Sequence, residues 1–241
     1  MKYALALSSI ISAVVAVPAM LEHEAPMQSR PMDAVAKHGD NSYTQVSNNW
    51  SGIVQKGTGL NHITGTFTVP SVTGPDGSGA SFWVGIDGTN GCNSLMQAGI
   101  TADAGGSTYA WYEWYSEPAY NYNLAVKAGD VVRVTVDATS TTTGTTTTEN
   151  LTTGKKASHK FTSGPGPLCE QNAEWVVEAY SRNGKTITLA NYDTVTFSKA
   201  VASGSSGTYD GSTGESYELH QNSKTVSKCS GSSGDIVCKY Q

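Results

Sequence analysis

Charge is scarce in this chain, and basic charge scarcer still. Only 15% of the 241 residues are charged, and the formal net charge is -5. From residue 44 onward there are 12 Lys or Arg, of which only Arg133 and Arg182 are Arg. No basic patch exists to follow a phosphate backbone, which excludes nucleic acid as a partner. So few cations repel one another little once the carboxylates protonate, a composition suited to an acidic medium. Metal ligands are sparse too. The five His residues (23, 38, 62, 159, 220) form no pair at helical spacing, and the four Cys match no zinc pattern. There is no Gly-x-Ser-x-Gly turn to present a serine nucleophile. Asp87-Gly88-Thr89 is not the Asp-Thr/Ser-Gly of a two-Asp site and has no second copy. Carboxylates and amides are the catalytic groups left in quantity, and no metal or cofactor is expected.

Helical periodicity is missing after residue 40, whereas Gly and Thr are abundant. That is the composition of an all-β domain, and about a dozen short strands predict two stacked antiparallel sheets, a β-sandwich. Residues 1–19 read as a secretory signal: Lys2, an apolar run over 4–17, then small residues near Pro18-Ala19. The run is too short to span a bilayer comfortably, so no membrane association is expected. Residues 20–45 lack β-alternation and read as a pro-segment or linker, and the folded domain is 46–241. An even cysteine count in a secreted chain favours two disulfides. Cys229 and Cys238 flank Ser-Gly-Ser-Ser-Gly as a bridged hairpin, leaving Cys92 for Cys169, one of three possible connectivities. Asn49-Trp50-Ser51 and Asn150-Leu151-Thr152 are glycosylation sequons, and Asn150 is the better candidate because Asn49 adjoins an aromatic that should pack. Over 131–137, strict alternation turns Val132, Val134 and Val136 inward, and the Thr-rich 139–148 reads as a hairpin or edge.

Two strands place Glu among aromatic residues. In residues 172–180, period-two alternation puts Glu174, Val176, Glu178 and Tyr180 on one face and Ala173, Trp175, Val177 and Ala179 on the other. In 109–115, Tyr109, Trp111, Glu113 and Tyr115 share a face opposite Ala110, Tyr112 and Trp114. Aromatics on both faces mean that neither is fully solvated. An aromatic-lined groove holding Glu113 would suit an extended polymer. In 95–100, Leu95, Gln97 and Gly99 share a face, and spacing alone makes Gln97 an ordinary outward amide.

The motifs Asn49-Trp50-Ser51-Gly52, Phe67-Thr68-Val69-Pro70, Phe82-Trp83-Val84-Gly85-Ile86-Asp87-Gly88, Leu95-Met96-Gln97-Ala98-Gly99, residues 109–115, Glu149-Asn150-Leu151-Thr152-Thr153-Gly154 and residues 172–180 occur in this order. Together they resemble the eqolisins, the glutamic peptidases, over nearly all of 46–241. The resemblance implies a secreted acid endopeptidase acting on polypeptides from the concave face of a β-sandwich. It implies Gln97 and Glu178 as a catalytic dyad, with Trp50, Asp87, Trp111 and Glu113 lining or supporting the cleft. Glu174 is then structural, and the protein is expected to be a monomer. An ionised Glu178 would act as general base on a water, and Gln97 would donate its N–H to the developing oxyanion. Acid working conditions would require donors such as Gln97 to lower the pKa of Glu178. The alternatives are a sandwich glycosidase pairing Glu113 with Glu178 and a non-catalytic carbohydrate-binding sandwich.

Overall fold

A computed structural model describes residues 23–24, 27–35 and 44–241. The expected signal, 1–19, lies outside the described residues, as does much of 20–45. No helix occurs among the described residues; the chain folds as two β-sheets laid face to face. In the first sheet the order is Tyr120–Asn121, Thr108–Tyr115, Leu95–Asp103, Gly79–Asp87, Asn172–Glu178, Trp50–Lys56 and Glu215–Gln221. Lys224–Ser232 and Asp235–Tyr240 continue it. The second sheet runs Lys155–Phe161, Thr143–Asn150, Val131–Ser140, Leu60–Thr68. Strand Thr194–Gly204 belongs to both. Its first residues pair with Asp235–Tyr240, and after a register shift between Ser198 and Val201 the rest pairs with Leu60–Thr68. These pairings are antiparallel; Thr44–Ser47 adds a parallel partner to Glu215–Gln221.

The expected alternation holds where it was cleanest. Val132, Val134 and Val136 are buried between the sheets, and the Thr-rich stretch is the second arm of a hairpin with Val131–Ser140. Thr146 and Thr148 turn inward, and Tyr122 Oη donates to Thr146 Oγ1 at 2.7 Å, so a core threonine keeps a partner. The main core contains Phe67, Phe82, Trp175, Phe197, Tyr112 and Trp114. Trp175 donates its indole N–H to Thr64 O across the layers, at 2.9 Å. Trp175→Ala removes both the ring and this bond. It is expected to cost about 3–5 kcal/mol in a urea titration.

Cys92–Cys169 and Cys229–Cys238 are bridged as expected. The first closes a sequence separation of 77 residues, the second only 9. In the chain-entropy account the longer loop is worth roughly 4 kcal/mol. Losing Cys92–Cys169 by paired Ser substitutions should therefore lower stability clearly more than losing the hairpin bridge. The sequon reading changes. Asn150 is buried with its amide donating to Ala125 O and Asp130 Oδ2, and Asn49 is buried as well. Neither side chain is exposed in the folded chain.

Candidate active site

The second apolar cluster lies on the outer face of the first sheet and contains Trp50, Trp83, Leu95, Trp111, Val176 and Tyr180. Leu95, Trp111, Val176 and Tyr180 come from the faces that alternation grouped with Gln97, Glu113 and Glu178; Trp50 and Trp83 join them from strands Trp50–Lys56 and Gly79–Asp87. Strand register sets three rows across this face. Trp50, Glu178, Ser81, Thr101 and Tyr109 are partners in the first; Val176, Trp83, Gly99 and Trp111 in the second; Glu174, Gly85, Gln97 and Glu113 in the third. The middle row determines the shape. At Gly99 a Cβ would meet Phe82 O and Trp83 Cβ, each at 2.4 Å, so only glycine leaves room for the Trp83 side chain. Trp83 then donates its indole N–H to Glu178 Oε2 at 2.9 Å.

Residues 27–33 run across this face, and their placement had no signal in the sequence. Gln28 and Ser181 exchange backbone hydrogen bonds at 2.9 Å, Met27 is buried in the cluster, and Met32 N–H donates to Gly88 O at 2.9 Å. Ser29 Oγ lies between Gln97 Oε1, at 3.0 Å, and Glu178 Oε2. Arg30 N–H donates to Glu178 Oε1 at 3.1 Å. One hydroxyl has one hydrogen, so with the Gln97 carbonyl turned to Ser29 both contacts are satisfied when Glu178 is protonated. Its O–H then donates to Ser29 Oγ, and Ser29 donates to Gln97 Oε1. The Ser29 hydroxyl thus stands between the two side chains.

Burial pushes Glu178 up to about 7, against the opposing pull of Ser29, the Arg30 N–H and the Trp83 indole. Trp50 Nε1 also faces this carboxyl and helps hold its pKa down without completing a hydrogen bond. The expected lowering of Glu178 is thus reversed while residues 27–33 cover it, because loss of water outweighs every donor present. Gln97 differs from expectation as well. Its carbonyl faces Ser29, and its amide nitrogen donates to Glu113 Oε2 at 2.9 Å. Glu113 is fully buried, and desolvation, then the charge of Glu178, raise its pKa well above the usual range.

The supporting residues divide. Trp50 and Trp111 are fully buried on the cleft face, Trp50 edge-on to Trp83 with centroids 4.8 Å apart. Both indole N–H groups have no partner, and neither has Tyr109 Oη on the same face. Asp87 sits lower and accepts the backbone N–H groups of Cys169, Glu170, Gln171 and Asn172 at 2.7–3.3 Å, tying the loop that feeds Asn172–Glu178. It is a support of the cleft, not a lining residue. Asp87 with Cys92 and Cys169 is a group with metal-ligand spacing, but the two sulfurs are bonded to each other and the carboxylate is filled. Glu174 is buried with neither oxygen paired, its pKa raised by desolvation and by Asp87. A Cβ at Gly85 would come within 2.9 Å of its Oε1. Trp83 was missed as a site residue, though it lies in the motif Phe82 to Gly88; its neighbour Phe82 turns to the main core and Trp83 to this cluster. Ser29 could not have been found by pattern.

The first sheet thus gathers one amide and several buried carboxyls on one aromatic face, crossed by an extended peptide segment. The Peptidase A4 family model matches residues 48–240. Aspergillopepsin-2 of Aspergillus niger is 35% identical over 221 residues, covering 81% of this chain and 78% of that protein. Scytalidopepsin B of Scytalidium lignicola is 34% identical over 209 residues, with the same coverage. Among solved structures, scytalido-glutamic peptidase with a transition-state analogue inhibitor superposes with a TM-score of 0.77 at 30% identity, covering 80% of this chain and 98% of that one. Aspergilloglutamic peptidase from Aspergillus niger gives 0.65 at 36% identity, over 68% and 99%. The chain belongs to the Peptidase A4 family, the eqolisins, a family of glutamic peptidases.

Proposed function

We propose that this protein is a secreted acid endopeptidase in which Gln97 and Glu178 activate one water, held latent by residues 27–33. The observation that carries the reading is the Ser29 hydroxyl bridging Gln97 Oε1 and Glu178 Oε2. With the segment gone, water replaces that hydroxyl and Glu178 regains solvent, which removes the main cause of its raised pKa. An ionised Glu178 takes a proton from the water as its oxygen attacks the scissile carbonyl carbon, then passes that proton to the leaving nitrogen as the C–N bond breaks. Trp83 N–H fixes the carboxyl orientation, and neutral Glu113 fixes the Gln97 amide. The amide of Gln97 carries a second N–H, which can serve the developing oxyanion.

The test is incubation of the acid-treated protein with a denatured protein at acid pH, with and without a chelator. Peptide fragments at an unchanged rate are expected in both. No fragments, or release of sugar from a polysaccharide instead, would overturn the reading. Latency has its own test. Ser29→Ala removes the bridging hydroxyl and should speed acid activation of the full chain about tenfold, the effect of losing one buried hydrogen bond. Activation at the wild-type rate would show that Ser29 does not hold the site shut.

A further inference from the structure

The contacts that hold residues 28–33 in the cleft are, with few exceptions, made to their backbone. One side chain supplies three of them. Asn49 Nδ2 donates to Arg30 O at 3.4 Å and Pro31 O at 3.2 Å, and Asn49 Oδ1 accepts the Asp33 N–H at 2.8 Å. Backbone groups are common to every peptide, so a side chain that reads only these accepts any sequence. Asn49 is prepared for this. Ser47 Oγ donates to Asn49 Oδ1 at 2.9 Å and also accepts the N–H of Asn49 and of Trp50, which fixes the amide with its NH2 toward the crossing chain. Asn49 O in turn accepts the Ala179 N–H at 2.9 Å, one residue beyond Glu178. The clamp is thus tied to the strand end that carries the carboxyl.

We propose that Asn49 is the main-chain clamp of the cleft, holding residues 30–33 before maturation and the substrate backbone afterwards. It rests on the peptidase reading above for its second half. In the latent chain Asn49 grips residues one to four positions C-terminal to Ser29, the residue at the dyad. A substrate running in the same direction presents the C-terminal side of its scissile bond to Asn49. Asn49 is a positioning residue: it touches the chain to be cut, not the reacting atoms. Its hydrogen bonds are the same before and during the reaction, so its loss weakens binding without slowing the chemical step.

Two measurements on the full chain and its acid-activated product test this. In the full chain, Asn49→Ala should speed hydrogen exchange at the Asp33 amide at least tenfold while leaving the Gln28 amide, bonded to Ser181, as in wild type. Unchanged exchange at Asp33 overturns the clamp whether or not the protein is a peptidase. In the activated enzyme, Asn49→Ala should raise KM about tenfold for peptides extending four residues past the scissile bond, with kcat within twofold, and should raise it much less for peptides that end one residue past it, which offer Asn49 only the first of its three contacts. Equal losses on long and short peptides, or a fall confined to kcat, would overturn the substrate role. Asn49→Asp keeps the acceptor for Ser47 and guards against misfolding: measured where Asp is ionised, it should repeat the KM effect at a wild-type melting temperature.

Discussion

Glu178→Gln is expected to lower peptide hydrolysis by at least about a thousandfold, and Gln97→Ala by roughly a hundred- to a thousandfold. These are the ranges for removing a positioned base and one oxyanion donor. Both variants should fold. Gln at 178 keeps one oxygen, which can accept from the Trp83 indole or from Arg30 N–H but not from both, and Ala at 97 leaves one acceptor, Glu113 Oε2, to find water. Steady-state kinetics on one peptide, with circular dichroism as the folding control, decides it. Either variant turning over within tenfold of wild type would remove that residue from the proposed chemistry. The two losses should not add, because both residues act on one water. The Glu178→Gln full chain should also remain unprocessed in acid, if maturation is the enzyme's own act.

The second large effect concerns stability against pH. Asp87, Glu113, Glu174 and Glu178 are all buried and all carry raised pKa values, desolvation being the leading cause in each. A raised carboxyl binds its proton more tightly folded than unfolded. Its contribution is therefore whole below the ordinary carboxyl range and is lost as pH climbs through the folded value. For Glu178 that window runs from the ordinary 4.5 to about 7. At about 1.4 kcal/mol per unit, Glu178 alone accounts for roughly 3 kcal/mol. The exposed Arg133–Glu149 pair works in the opposite sense at lower pH, but an exposed pair contributes little. The latent chain should thus be most stable in acid and lose stability steadily between pH 4.5 and 7. Glu174→Gln isolates one member: it cannot charge, so its urea midpoint should fall less than wild type's over that interval. Parallel midpoint-against-pH curves for the two proteins would mean that Glu174 does not titrate in the transition.

How much of this was readable beforehand differs from residue to residue. Glu178, Val176 and Tyr180 could be placed together, apart from Trp175, because alternation along a strand is a local consequence of backbone geometry. The same holds for Trp111 and Glu113 against Tyr112 and Trp114. Gln97 could not be singled out by pattern, since one amide on a strand has the same spacing whether it meets solvent or a carboxyl; the family resemblance supplied it. The Asn150 sequon misled because its triplet is local, while the burial of its amide depends on Ala125 and Asp130.

Of the three cysteine connectivities the sequence allowed, the structure shows Cys92–Cys169 with Cys229–Cys238; the sequence by itself determined a two-layer β protein, its eqolisin kinship and which side chains share a face. Those follow from short-range periodicity and from long motifs. Only the tertiary structure decided that residues 27–33 lie over Gln97 and Glu178, that the Ser29 hydroxyl stands between those two side chains, and that Glu178 is raised to about 7 rather than lowered. A carboxyl's affinity for its proton depends on what covers it, and here the cover comes from 149 residues away.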